Sequence, residues 1–121
     1  MEVLLDSSFI ISCIKRKIDF IQNLNEMGFN PVVPREVLQE LKDLKHKSPQ
    51  EERKAIDIAI LLFEKRKIKK SKVGGNTVDE GLISKGKNGI HIATLDRVIK
   101  REVPNKIVIN NSKNSLEIER L

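Results

Sequence analysis

Near the start of the chain lies Glu2-Val3-Leu4-Leu5-Asp6-Ser7-Ser8, a short apolar run that stops at an acid and two hydroxyl side chains. Such a run predicts a buried β-strand, and Asp followed by Ser predicts the start of a helix. Nearer the other end, Ile90-His91-Ile92-Ala93-Thr94-Leu95 predicts a second buried strand, and Asp96 directly after it predicts the start of a short helix. Parallel sheets bind ligands at the carboxyl ends of their strands. Asp6 and Asp96 are therefore expected at the binding edge of such a sheet.

Further strands are predicted at Pro31-Val32-Val33, weakly at Ile68 to Val73, and finally at Lys106-Ile107-Val108-Ile109. Helical patterns of crossover length separate them, which predicts an α/β fold with a parallel sheet and helices on both faces. No repeat or linker interrupts residues 1–121, so they are interpreted as one domain. The segment from Ser112 to Leu121 receives no assignment.

Local signals predict where the helices begin. The first helical pattern runs from the residues after Asp6 to Met27, with a break near Arg16, and Gly28 stops it. Pro34 is expected at the first position of a helix that ends near Lys45. Two capping boxes are predicted, Ser48-Pro49-Gln50-Glu51 and Thr77-Val78-Asp79-Glu80.

Lysine and arginine number 23 against 17 aspartate and glutamate residues, which gives a formal net charge of +6. A basic excess attracts polyanions and makes nucleic acid a reasonable partner, although a lysine-rich solvated surface has the same composition. Aromatic residues make up only 3% of the chain. A broad base-stacking surface is therefore not expected, and phosphate contacts should carry most of the affinity for RNA.

Cysteine usage and hydropathy predict a cytoplasmic location. Cys13 is the single cysteine, so no internal disulfide forms and a reducing compartment suits the chain. No apolar run reaches the roughly 18 residues that a membrane span needs. The first residues lack the pattern of a signal peptide.

Asp6 and Asp96 also have an ordinary explanation. Each precedes a predicted helix, and an Asp in that place caps the helix by accepting hydrogen bonds from its first N–H groups. Capping alone can explain either residue. Two acids at the ends of separate strands modestly favour a shared site.

Glu40 lies beside the apolar stripe of its predicted helix, about 40° from Leu44 on a helical wheel. The stripe consists of Val37, Leu38, Leu41 and Leu44. An acid with no role beyond contact with solvent would be expected on the face of the helix opposite that stripe. An ordinary Glu at the boundary of the stripe remains the alternative.

Asp79 is not explained by local helix chemistry, whereas the predicted capping box accounts for Thr77 and Glu80. Asp79 precedes Leu82 and Ile83 by three and four residues. It is therefore expected on the buried side of the first turn, where an acid needs a partner or a metal ion.

Convergence of three or four of these acids would require proton uptake or a cation. Two carboxylates about 4 Å apart repel by roughly 4 kcal/mol at an effective dielectric constant of about 20. Oxygen ligands without a Cys or His set select hard ions such as Mg²⁺ or Mn²⁺. Such ions bind phosphates and turn water into a nucleophile near neutral pH.

The stretches around these acids resemble a known family. They are Val3 to Ile10, Val33 to Leu41, Thr77 to Ile83, and Ile92 to Arg97. In order and context they are similar to PIN domains, a class of small metal-dependent ribonucleases. The last two stretches resemble most the subgroup of eukaryotic small-subunit rRNA-processing factors and archaeal relatives, and toxin ribonucleases are a more distant match. Gly81 stands where the family usually has a small or apolar residue after the acid pair Asp79-Glu80.

The resemblance implies a three-layer α/β/α fold with a parallel sheet of about five strands, often assembled as a homodimer. It also implies the site residues. They are Asp6, Glu40, Asp79 and Asp96 as catalytic metal ligands, with Ser8, Thr94 and Glu80 as supporting residues.

The implied activity is that of an endoribonuclease. One or two Mg²⁺ or Mn²⁺ ions would activate water for in-line attack on a phosphodiester of single-stranded or loop RNA. The candidate phosphate contacts are Arg97, Lys100, Arg101, Lys85 and Lys87. The implied protein partner is an antitoxin or a preribosomal assembly, and no membrane is involved. The rival interpretation is a catalytically silent PIN-like domain that binds RNA or a protein within a larger assembly.

Overall fold

The computed structural model describes residues 1–120, within which there are six strands and six helices. Along the chain they are β1 (Glu2–Leu5), α1 (Ser7–Lys15), α2 (Phe20–Glu26), β2 (Asn30–Pro34), α3 (Arg35–Lys45), α4 (Gln50–Lys65), β3 (Lys69–Ser71), α5 (Val78–Lys87), β4 (His91–Ala93), α6 (Arg97–Glu102), β5 (Asn105–Asn110) and β6 (Ser115–Arg120).

All six strands form one sheet in the order β3-β2-β1-β4-β5-β6. The strands β1 to β5 pair in parallel, as predicted from the alternation of strands and helices. The chain adds β2 and β3 on one side of β1, and β4 and β5 on the other. The strand order therefore reverses between β1 and β4, and such a switch point opens a crevice at the carboxyl ends of the two strands.

Side chains of β1 alternate between two cores because successive residues of a strand point to opposite faces of a sheet. Val3 and Leu5 belong to a core that contains side chains of α1, α2, α3 and α4. Leu4 belongs to a second core that contains Leu82 of α5 and Ile99 of α6. Helices thus pack on both faces, and β1 is buried from either side.

The sixth strand, β6, corrects the expectation of about five strands. It lies in the segment from Ser112 onward that the sequence left unassigned, so the Lys106–Ile109 strand is not the last one. A turn at residues 111–114 reverses the chain, with Asn114 at φ 52°. β6 then pairs antiparallel with β5, with Ile118 opposite Ile107. Leu116 and Ile118 pack against the larger core.

Two predicted helix starts are wrong in detail. Pro34 is the N-cap of α3 and not its first helical residue. The capping box at Ser48 does not form, because the Ser48 hydroxyl donates a hydrogen bond to the Leu44 carbonyl at 2.7 Å. Pro49 occupies the N-cap position of α4 and offers no side-chain hydrogen bond. Ser48 therefore closes α3 and does not open α4.

Other local predictions are confirmed. The break near Arg16 separates α1 from α2, with Lys17 at φ 58°. Thr77 caps α5, its hydroxyl oxygen accepting the Glu80 N–H at 3.1 Å. The Glu80 carboxylate accepts the Asn76 N–H at 3.2 Å and not the Thr77 N–H that a capping box uses, so only the Thr77 half of the predicted box forms.

Within residues 1–120, no helix combines the length and the apolar character that crossing a bilayer requires.

Candidate active site

Asp6 and Thr94 lie side by side because they follow neighbouring strands. In the register of β1 and β4, Leu5 is opposite Ala93. The Asp6 N–H continues this ladder and donates to the Ala93 carbonyl at 2.9 Å. The first residues beyond the two strands therefore meet at the switch point of the sheet.

Asp6 is held by three hydrogen bonds and is only 5% exposed. Its Oδ2 accepts the hydroxyls of Thr94 at 2.7 Å and Ser8 at 3.2 Å, and its Oδ1 accepts the Ser7 N–H at 2.9 Å. Burial raises the pKa of the Asp6 carboxyl above its usual value. The hydrogen bonds partly offset this rise in pKa, and the negative charge of Glu40 adds to it.

The hydroxyls of Ser8 and Thr94 also accept hydrogen bonds from the segment that follows β4. Thr94 accepts the Asp96 N–H at 3.0 Å, and Ser8 accepts the Leu95 N–H at 3.3 Å. Each hydroxyl thus connects the Asp6 carboxylate to the backbone that carries Asp96. The resemblance assigned these two residues as supporting hydroxyls, and that role stays a prediction.

Asp96 is half-buried and caps α6, which is the structural role that the sequence analysis gave as the alternative to a shared site. Its Oδ1 accepts the N–H groups of Val98 at 2.8 Å and Ile99 at 3.2 Å. Both bonds end on Oδ1, so the cap engages one of the two carboxylate oxygens. Capping fixes the orientation of the carboxylate and is compatible with a second role for Oδ2.

Asp79 is exposed, so the prediction that it lies on the buried side of α5 is wrong. The buried contacts of α5 are made by Gly81, Leu82 and Gly86, and the first turn carries Asp79 outward. Desolvation and then the nearby negative charge of Asp96 raise the pKa of Asp79. Asp79 therefore lies within electrostatic reach of Asp96.

Glu40 is half-buried on α3, next to the buried residue Leu41, which agrees with its expected place beside the apolar stripe. It lines an open groove of about 460 Å³ together with Val78, the residue before Asp79. Glu40 thus faces the space between α3 and the start of α5, and its charge acts on Asp6.

The four acids lie as two interacting pairs, Asp6 with Glu40 and Asp79 with Asp96. Among residues 1–120, no three His, Cys, Asp or Glu side chains are grouped closely enough to hold a metal ion together. The donor chemistry nevertheless fits Mg²⁺ or Mn²⁺, since both ions prefer carboxylate oxygens.

The basic residues singled out from the sequence fall into two groups. Arg97, Lys100 and Arg101 lie on α6, directly after Asp96. Lys85 and Lys87 lie in the last turn of α5, away from its Asp79 end. Lys87 also forms an ion pair with Glu102 at 3.3 Å. The α6 residues are the nearer to the acids along the chain.

Sequence reasoning missed Glu36, which precedes Glu40 by one helical turn and lines the same groove. Its carboxylate accepts the backbone N–H groups of Val73 and Gly74, between β3 and α5. The spacing of four residues between Glu36 and Glu40 places both acids on one side of α3, which was the available signal.

Comparison with protein-family models matches residues 3–110 to a model described as a PIN like domain. The match includes Asp6, Glu40, Asp79 and Asp96. No curated protein matches the chain.

Proposed function

Because the chain belongs to the PIN-like domain family, whose members are usually nucleases, we propose that it is a metal-dependent endoribonuclease. It hydrolyses phosphodiester bonds of single-stranded or loop RNA at the carboxyl ends of β1 and β4. The observation that carries the proposal is the Thr94 hydroxyl, which donates to Asp6 and accepts the Asp96 N–H. This contact ties acids from opposite ends of the sequence at the switch point of a parallel sheet.

Asp6, Glu40, Asp79 and Asp96 would hold one or two Mg²⁺ or Mn²⁺ ions. When bound, such an ion polarises a phosphoryl oxygen and lowers the pKa of water. The raised pKa values of Asp6 and Asp79 support the assignment, because they reflect carboxylates whose charge is poorly compensated by the protein. A cation would provide that compensation.

The residues of the chain orient this ligand set. Ser8 and Thr94 direct Oδ2 of Asp6 by hydrogen bonds, and the α6 cap directs Asp96. Glu80 supports the start of α5 through the Asn76 N–H. This orientation of the ligands matters because mutation of residues that hydrogen-bond to metal ligands commonly lowers metal affinity or activity about 10–100-fold.

The RNA backbone would be held by cations near the acids. Arg97 and Arg101 are exposed on α6, and Lys100 is half-buried beside them. Lys85 and Lys87 extend the proposed contact surface to the far end of α5. The net charge of +6 favours encounter with a polyanion.

The biological setting belongs to the same proposal. We expect a cytoplasmic protein that processes rRNA with a preribosomal partner, or a toxin-type ribonuclease with an antitoxin. The resemblance to the rRNA-processing subgroup favours the first role. A homodimer and a three-layer α/β/α arrangement are part of the expectation, and the two cores on opposite sides of β1 support the layering.

A silent PIN-like module that binds RNA or protein is the second candidate. It is favoured by one observation, namely that no three of the acids in residues 1–120 are gathered around a common point. The two candidates differ in what a metal ion does to RNA in the presence of the protein.

Cleavage of end-labelled single-stranded RNA, with Mn²⁺ or with a chelator, tests the enzyme. We expect cleavage only with the metal. The cleavage rate should fall more than about 100-fold in Asp6→Asn and in Asp96→Asn, because loss of a metal ligand should cost more than loss of a residue that only orients a ligand. Asp57→Asn is the matched control, because Asp57 is an exposed acid of α4 that pairs with Lys45.

Two results would contradict the enzyme. One is RNA that stays intact with Mn²⁺ while still binding the protein, which is the behaviour of the silent module. The other is equal cleavage by wild type and both site variants, which would indicate a contaminating nuclease.

A further inference from the structure

Glu36 ties the first turn of α3 to the loop that leads into α5. Its Oε2 accepts the Val73 N–H at 3.1 Å and the Gly74 N–H at 3.0 Å, and its Oε1 lies 3.2 Å from the Val73 nitrogen. Slight desolvation raises the pKa of Glu36, but these backbone hydrogen bonds and the charge of Lys72 outweigh it and lower the pKa overall. The ionised carboxylate is therefore the form that holds the loop.

The loop held by Glu36 lies directly on α5. Gly74 and Gly75 have φ values of 75° and 80°, a conformation that favours glycine. A Cβ added to Gly81 would overlap the Gly74 carbonyl oxygen and would come 2.7 Å from Cγ2 of Val73. A Cβ on Gly75 would come 2.9 Å from the Gly81 nitrogen. The backbone of residues 73–75 thus sits against Gly81 with no room for a side chain.

Gly81 follows Asp79 by two residues in the same helical turn. Any shift of the loop would be transmitted through Gly81 to the first turn of α5, which carries Asp79. Among the described residues 1–120, no hydrogen bond or ion pair is formed by the Asp79 carboxylate that could fix this side chain independently. The position of Asp79 therefore depends on the contact between the loop and the helix.

We infer that Glu36 is a positioning residue which, through Val73, Gly74 and Gly81, fixes where Asp79 stands relative to Asp96. The inference rests on the proposed function, since it assigns Glu36 an effect on the affinity of the site for its metal ion. It also gives a physical reason for Gly81, the position where the sequence departs from the usual family pattern. A larger residue there would push the loop away from the helix.

Mn²⁺ affinity and amide hydrogen exchange together test the inference. Mn²⁺ titration followed by electron paramagnetic resonance is performed on wild type, Glu36→Ala, Glu36→Gln and Gly81→Ala. We expect Mn²⁺ binding about 10-fold weaker in Glu36→Ala and in Gly81→Ala, and a smaller loss in Glu36→Gln, which keeps one oxygen acceptor. Amide hydrogen exchange of residues 73–82 should be faster than in wild type in all three variants. The increase should be larger in Glu36→Ala and Gly81→Ala than in Glu36→Gln.

Glu64→Gln is the control, because Glu64 is an exposed acid of α4 and should change neither Mn²⁺ affinity nor exchange in α5. Urea unfolding of each variant reports global stability separately. Loss of stability with wild-type Mn²⁺ affinity in a folded Glu36→Ala protein would overturn the inference, because a merely structural role predicts that result. Non-additive losses in the double variant Glu36→Ala/Gly81→Ala would support it, since both changes act on one contact.

Failure of the proposed function gives a different pattern. If the wild-type protein does not bind Mn²⁺, the proposed metal site is contradicted, but the contact between Glu36 and the loop is not. The exchange measurement then decides: faster exchange from Val73 to Leu82 in Glu36→Ala, but not in Glu64→Gln, supports the role of Glu36. Unchanged exchange in both variants contradicts it.

Discussion

A single hydroxyl group, that of Thr94, connects the two strand ends that carry Asp6 and Asp96. It is fully buried, donates to one carboxylate and accepts the N–H of the other acid. The sequence predicted this grouping because an apolar strand pattern precedes each acid, and neighbouring parallel strands end on the same side of a sheet. In the structure β4 ends at Ala93, so Asp96 lies three residues beyond its strand, whereas Asp6 directly follows β1. Residues that lie next to strand ends are the part of the site that sequence reasoning locates best.

Asp79 shows where residue-level prediction stops. A helical wheel gives the direction of a side chain about the helix axis but not how far the helix extends beyond the sheet. The predicted face of α5 is right for Leu82, which is fully buried. Asp79, three residues earlier in the first turn of α5, is exposed.

His91 should make the fold sensitive to acid. It is 4% exposed, lies 4.8 Å from the Phe29 ring, and neither ring nitrogen has a hydrogen-bond partner within residues 1–120. Burial, and then the charge of Arg120, lower its pKa below the ordinary value of 6.5. In the folded state the neutral ring is thus favoured. The contribution of neutral His91 to the free energy of unfolding should be fully present above pH 6.5 and should be lost as the pH drops from 6.5 through the lowered pKa of the folded state.

Urea unfolding at about pH 7.5 and about pH 5.5 measures this effect, because the interval spans the titration range of histidine. His91→Leu should show a smaller loss of stability on acidification than wild type. It should be equally or more stable at the higher pH, since it removes two buried polar atoms. His46→Gln is the control, because His46 is exposed. A pH dependence of His91→Leu equal to that of wild type would refute the assignment.

At the scale of elements, boundaries near closely spaced helices were the hardest to predict. Only the four residues 46–49 separate α3 from α4. The pattern Ser-x-x-Glu cannot show which helix the Ser48 hydroxyl serves. In the structure this hydroxyl donates a hydrogen bond to the Leu44 carbonyl, so the pattern that predicted the start of α4 belongs to the end of α3. Strand β6 was missed for another reason: its alternation of Leu116 and Ile118 with acids is short and follows a turn without glycine.

The strand β6 should contribute to stability through its inward side chains. Ile118 is partly buried and packs against the larger core opposite Ile107. Ile118→Ala should lower the free energy of unfolding by about 1–2 kcal/mol, below the range of roughly 2–5 kcal/mol for a fully buried isoleucine. Glu119→Ala, which changes the exposed neighbour, should change it by less than about 0.5 kcal/mol. Equal unfolding midpoints of Ile118→Ala and wild type in urea would contradict the packing role.

At the scale of the molecule, the alternation of strands and helices predicted the parallel sheet, but the order of strands came only from the structure. Sequence order does not say on which side of β1 a later strand is added. The reversal between β1 and β4 depends on which crossover helices cover which face, and it is this reversal that brings residues 6 and 94–96 together.

Metal binding should stabilise the whole fold by linkage. An ion that binds only the folded state adds about 2.7 kcal/mol at 100 times its dissociation constant. The Tm of wild type should therefore rise with Mn²⁺ concentration, and a chelator should reverse the rise. Asp6→Asn should lose most of this response, whereas Asp57→Asn should keep it. A Tm that is indifferent to Mn²⁺ in wild type would count against the proposed site.

The antiparallel direction of β6 has a practical consequence. Arg120 lies opposite Asn105 at the start of β5. Glu2 begins β1, which runs parallel to β5, so it lies at the same end of the sheet, where the parallel strands begin. Residues 2 and 120 therefore both stand on the side of the molecule away from Asp6 and Asp96. A fluorescent label or a surface anchor attached near either residue would lie away from the strand ends that carry these acids, so the protein can be immobilised without obstructing access to them.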